Sequence, residues 1–96
     1  MTSKQRAYLK GLAMTMEPIL QVGKASVTPE VTASVEEALI ARELIKINVL
    51  QNCDADLKEL ASVLAERTRS QVVQVIGRKI VLYKEGKDEK KKIILP

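Results

Sequence analysis

The sequence predicts an α/β protein of the two-layer α+β kind, with elements in the order α-β-α-β-α-β-β and a mixed four-stranded sheet. Three observations lead there. Apolar residues recur at helical spacing in three segments, short β-branched runs alternate with those segments, and the last two runs are separated only by Gly77-Arg78-Lys79. With 96 residues the chain makes one domain, because a split would leave halves too small to bury a useful core.

Ser3 opens the first helix, with Leu9, Leu12, Ala13 and Met16 on one side and Lys4, Arg6 and Lys10 on the other. Pro18 ends that pattern, since it has no N–H to donate and disfavours helix in the residue before it. Ile19 to Val22 is a short strand closed by Gly23. Thr28-Pro29-Glu30 starts the second helix: Thr28 caps, Pro29 suits the first helical position and Glu30 complements the dipole. Val31, Val35, Ala38 and Leu39 share one stripe of it, with Glu36 and Glu37 facing out.

Leu44 to Leu50 is the next strand, in which Ile45, Ile47 and Val49 alternate with Lys46 and Asn48. Asp54 caps the third helix, whose Leu57, Leu60, Ala61 and Leu64 repeat the apolar stripe as far as about Thr68. Val72 to Ile76 and Ile80 to Tyr83 form an antiparallel hairpin with a basic tip, Gly77-Arg78-Lys79. The two central crossovers each hold a helix. Right-handed crossovers make the first three strands parallel in a shared sheet, and the fourth strand antiparallel. Residues 1–84 form the domain. Residues 85–96 form a basic tail (Lys87, Lys90 to Lys92) whose apolar end, Ile93-Ile94-Leu95, can dock on it.

The apolar material is almost all aliphatic, with no Phe or Trp and only Tyr8 and Tyr83 as rings. Aliphatic side chains can fill a core, but the stacking platforms used by RRM or OB readers of single strands are missing. Histidine is absent, which removes the commonest general base and the commonest metal ligand. The lone Cys53 rules out an internal disulfide and a thiolate-rich metal site, and no histidine can activate it as a nucleophile. It reads as a small residue between the second strand and the third helix. Neither a Walker loop nor GxGxxG occurs. Asp54 and Asp56 could pair for acid–base or metal chemistry, but their place at a helix start points to capping. The expectation is therefore no enzyme, no metal, no cofactor and no small-molecule substrate. No run of about 18 apolar residues could cross a bilayer, and the polar opening Met1 to Lys10 leads into no signal-peptide core. With no disulfide available, the expected location is the cytoplasm.

Charge is unevenly spread. Residues 1–29 carry +3, residues 30–66 carry −5 and residues 67–96 carry +6, within a total of +4. If the fold brings the two basic ends together, one face suits an anionic partner. Gly23-Lys24 and Gly77-Arg78-Lys79 are glycine-basic turns, where a backbone can approach a phosphate closely and the neighbouring cation adds charge-assisted bonds. The two glycines can equally do no more than supply positive φ, with exposed charges beside them for solubility. Lys46 is open to three readings: a phosphate contact, a partner for Glu43, or simply part of the polar face of its strand.

Four segments, in order, resemble a known family: Leu9-Lys10-Gly11-Leu12-Ala13, Pro18 with Val22-Gly23-Lys24, Glu43-Leu44-Ile45-Lys46, and Val73-Gln74-Val75-Ile76-Gly77 leading to Val81-Leu82-Tyr83. Over residues 4–84 the chain is similar to the CRM domain (chloroplast RNA splicing and ribosome maturation) in its single-domain bacterial form, YhbY. The resemblance implies a fold similar to the C-terminal domain of translation initiation factor three. It also implies RNA binding and association with precursors of the large ribosomal subunit. The KH-like GxxG loop described for CRM domains is carried onto Gly77, Arg78 and Lys79, with Ile80 where a second glycine would stand. Three further departures are Met14 in place of His, Ser26 in place of Gly, and Lys84 in place of Arg, which keeps the charge but loses the bidentate fork.

The expected RNA contacts are Lys4, Arg6, Lys10, Gly23, Lys24, Gly77, Arg78, Lys79 and Lys84. Recognition should depend mainly on phosphate and shape. The rival expectation is a protein-interaction module, in which the acidic helices bind a basic ribosomal protein or assembly factor.

Overall fold

Each helix begins where a side chain can satisfy its first free N–H groups. In the computed structural model, which describes residues 1–87 and 93–96, the elements are α1 (Ser3–Ala13), β1 (Leu20–Val22), α2 (Pro29–Arg42), β2 (Leu44–Val49), α3 (Leu57–Thr68), β3 (Gln71–Ile76) and β4 (Lys79–Tyr83). Thr2 caps α1 in a capping box with Gln5, and Thr28 caps α2 by accepting from the Val31 N–H at 3.1 Å. The cap of α3 is Asp56, which accepts from the Lys58 N–H at 2.9 Å; the expected Asp54 lies outside the helix, in the link from β2. α1 also ends earlier than Pro18 requires. Beyond Ala13 the chain turns at Met14, and the Met16 N–H bonds the Ala13 carbonyl. Leu12, expected on the core side, lies within α1 and is 38% exposed.

The sheet order is β1-β2-β4-β3. β1 and β2 are parallel, while β4 runs antiparallel to both β2 and β3. Thus β1, β2 and β3 point one way and β4 alone runs back, inserted between β2 and β3. The hairpin loop is shorter than the sequence suggests. Only Gly77 and Arg78 lie outside the strands, with Gly77 at φ 57°, as a two-residue turn of primed type demands. Lys79 belongs to β4, paired with Ile76 and Asn48.

Side-chain alternation divides the core between the two faces of the sheet. Val22, Ile45, Ile47, Val49, Ile80 and Leu82 pack with Val35, Leu39, Leu60 and Leu64 of α2 and α3. On the other face Leu44, Val73, Val81 and Tyr83 pack under Leu9 and Ala13 of α1. A register shift between Val72 and Gln74 makes Val73 the extra residue of a bulge. The bulge joins Val73 to the α1 cluster. Ile93 and Leu95 pack against that same cluster. They are held there by buried Glu43, whose carboxylate accepts from the Gly86 N–H at 2.6 Å and the Ile93 N–H at 2.7 Å. Lys90, Lys91 and Lys92 lie outside the described residues.

Candidate nucleic-acid interface

Because β1, β2 and β3 are parallel, the loops that leave their ends collect along one edge of the sheet. Gly23-Lys24, the Leu50–Cys53 turn and Gly77-Arg78 all lie there. β4 starts at that edge with Lys79 and ends at the opposite one, where Lys84 follows Tyr83. α1 sits toward the second edge, over Leu44, Val73 and Tyr83. The basic residues expected to gather therefore form two groups. Gly23, Lys24, Gly77, Arg78 and Lys79 share one edge; Lys4, Arg6, Lys10 and Lys84 lie toward the other.

Two of these side chains have structural tasks. The Arg78 guanidinium turns inward: Nε donates to the Val49 carbonyl at 3.0 Å, and Nη2 donates to the carbonyls of Leu50 at 2.8 Å and Cys53 at 3.0 Å. It closes the turn after β2, whose carbonyls have no strand to pair with. Arg6 Nη1 donates to the Val72 carbonyl at 2.8 Å and the Val73 carbonyl at 3.4 Å, satisfying the bulge on edge strand β3. Arg6 thereby ties the opening helix to the closing hairpin, so the chain's two basic ends do meet. They meet at the base of the hairpin rather than at its tip. Lys79 Nζ lies 3.3 Å from the Asn48 side-chain oxygen. Lys4, Lys10 and Lys24 are exposed, and Lys84 is half-buried.

The turn after β1 differs from the expectation in a telling way. The Ser26 N–H bonds the Gly23 carbonyl at 2.9 Å, and the residue with positive φ is Ser26, at 58°, not Gly23. The resemblance leads to glycine being expected at this position, and a left-handed backbone is the conformation glycine adopts most readily. Gly23 to Ser26 is therefore a tight turn, with Ser26 three residues after Gly23 in the left-handed region, ahead of the capped start of α2. Gly77 and Arg78 form a two-residue hairpin turn instead. Their open-looking basic tip is closed by the inward Arg78.

Charge follows the layers. α1 carries Lys4, Arg6 and Lys10 with no acidic residue. α2 carries Glu30, Glu36 and Glu37 against Arg42, and α3 balances two acids with two bases. The half-buried sheet residues on the α1 face add Lys46 and Lys79, which lie on adjacent strands one row apart. Lys46 and Asn48 were visible in the sequence as the polar half of a strand, but only the pairing register shows that α1 leaves them uncovered. Among the described residues, no group of three His, Cys, Asp or Glu side chains could hold a metal ion. No described helix is long and apolar enough to cross a membrane.

The CRS1 / YhbY (CRM) domain model matches residues 1–84. The chain belongs to the CRM domain family. Relatives of this CRM domain extend over its full length. It is 50% identical over 96 residues to "Probable RNA-binding protein YqeI" of Bacillus subtilis, covering 100% of this chain and 99% of the relative. It is 37% identical over 97 residues to an "RNA-binding protein" of Haemophilus influenzae, covering 100% of this chain and 95% of that one. Among solved structures, the CRM domain matches the solution structure of hypothetical protein SAV1595 from Staphylococcus aureus. The TM-score is 0.84 at 48% identity, over 100% of this chain and 99% of the other. The match confirms the mixed four-stranded α+β fold.

Proposed function

We propose that this CRM domain is a non-catalytic, cytoplasmic RNA-binding protein that associates with ribosomal RNA of the assembling large subunit. The observation that carries the reading is the segregation of charge by layer: cations without carboxylates on α1, and acids concentrated on α2 across the sheet. A polyanion is drawn to the first side and repelled from the second. Relatives named for RNA binding support RNA as that polyanion. Ribosomal association rests on the family resemblance. Lys4, Lys10, Lys24, Lys79 and Lys84 would contact phosphates. The Gly23–Ser26 turn would let the backbone approach them, and Arg6, Gly77 and Arg78 would hold the frame in place. A protein-binding role for the exposed Glu36 and Glu37 is the second reading, favoured by their clustering on α2.

The test is the affinity of a large-subunit ribosomal RNA fragment across a salt titration, for the native chain and for the combined variant Lys4→Ala, Lys10→Ala, Lys24→Ala. The variant should bind more weakly, and its slope of log affinity against log salt should be shallower by about 2–3, at roughly 0.7–0.9 for each phosphate no longer neutralised. An unchanged slope removes these residues from the interface. Loss of ribosomal co-sedimentation on Glu36→Lys with Glu37→Lys, with RNase having no effect, would favour the protein partner.

A further inference from the structure

The pairing register arranges the α1 side of the sheet in cross-strand rows. One row, Leu44 and Tyr83, is buried under α1. The row at the far end takes one residue from each strand: Gln21 pairs with Asn48, Asn48 with Lys79, and Lys79 with Ile76. Between the two, Lys46 and Gln74 flank Val81, which α1 covers. Gln21 and Ile76 are exposed, and the other open residues of the strip are half-buried. Strands lie about 4.8 Å apart and alternate residues about 7 Å, so the row is roughly 14 Å wide, with Lys46 and Gln74 one row in on either side of buried Val81.

This strip is polar and basic in its chemistry. It brings the amide side chains of Gln21, Asn48 and Gln74, each with both donors and an acceptor, near Lys46 and Lys79; Glu17 is the one carboxylate among the described residues lining the hollow formed over Gln21, Asn48 and Lys79. The Asn48 oxygen accepts from Lys79, leaving its amide nitrogen, which has no partner among the described residues, to donate. Ile76, 58% exposed, ends the row with an apolar surface. Amides that can both donate and accept match base edges, whereas lysine ammonium groups match phosphates.

We propose that this strip reads the bases of an unpaired RNA strand, with Gln21 and Asn48 bonding base edges and Lys46 and Lys79 holding the flanking phosphates. The proposal rests on the RNA-binding reading above and adds to it the kind of RNA and the residues that discriminate. An unpaired strand is the fitting occupant because its edges can be turned onto a flat sheet, while those of an A-form duplex are engaged or recessed. Without aromatic platforms, discrimination comes from hydrogen bonds rather than stacking.

The experiment measures fluorescence anisotropy of labelled 12-nucleotide oligo(A), oligo(C), oligo(U) and a mixed-sequence strand. It compares the native chain with the variants Gln21→Ala/Asn48→Ala and Lys46→Ala/Lys79→Ala, checking folding by circular dichroism. The native chain should prefer one composition by about tenfold, the scale of a single base-edge contact. The amide variant should lose that preference and keep the salt slope. The lysine variant should keep the preference while its slope falls by about 1.4, at roughly 0.7 per neutralised phosphate on single strands. An amide variant that retains the native preference overturns the proposal, as does a native chain that binds all compositions equally. If ribosomal RNA still binds in those cases, the failure is confined to the strip; if no RNA binds at all, the RNA-binding reading falls with it.

Discussion

Ser26 and Arg78 show how single side chains set the geometry of the loop edge. Ser26 holds φ at 58°, which costs an L-residue roughly 1–2 kcal/mol and costs glycine almost nothing. Ser26→Gly should therefore stabilise the chain by about 1 kcal/mol, after allowing for the extra freedom glycine has when unfolded. For a domain of this size that is a rise of about 4–8 °C in Tm, measurable by thermal unfolding. A fall in Tm would mean the serine hydroxyl contributes more than the strain removes. Arg78 has the opposite character. It satisfies three carbonyls of the β2–α3 connection, so Arg78→Ala should destabilise by about 2–3 kcal/mol in urea unfolding. Arg78→Lys should recover little, because an ammonium cannot reproduce the fork. An alanine variant as stable as the native chain would return Arg78 to the surface role its neighbours in sequence suggest.

At the scale of elements, the caps test how the chain chooses its boundaries. Asp56→Ala should cost about 1 kcal/mol by removing the bond to the Lys58 N–H, whereas Asp54→Ala should stay within about 0.5 kcal/mol of native. Equal effects in denaturant titrations would contradict the assignment. Both aspartates were readable as caps; only the backbone path through the turn at Leu50–Cys53 selects the second. Periodicity located α2, α3 and the four strands to within a residue or two, because the apolar stripes and β-branched runs are strong and uninterrupted. It placed the end of α1 too late, since Leu12 and Met16 extend the apolar pattern past the turn at Met14. What it could not reveal was Glu43. A glutamate at a helix end reads as solvent-exposed, yet this one is buried and holds the returning tail by two backbone N–H groups that lie 43 and 50 residues away in sequence.

Across the whole molecule, the parallel direction of the first three strands was deducible from the two helical crossovers, but the insertion of β4 between β2 and β3 was not. Strand order decides which side chains become neighbours. It sets Lys79 beside Asn48, separates the hairpin tip from α1, and leaves the strip from Gln21 to Ile76 open. The unequal charge along the chain was likewise plain in the sequence, while its division between the two sides of the sheet depends on α1 crossing to the face opposite α2 and α3. This division is the central claim. It is tested most directly by nitrogen-15 amide shift mapping of the native chain during titration with a single-stranded large-subunit ribosomal RNA fragment. The account predicts perturbations on α1, the Gly23–Ser26 turn and the strip around Asn48 and Lys79, with α2 and α3 undisturbed along their outer faces. Shifts concentrated at Glu36, Glu37 and the exposed side of α3 would contradict it.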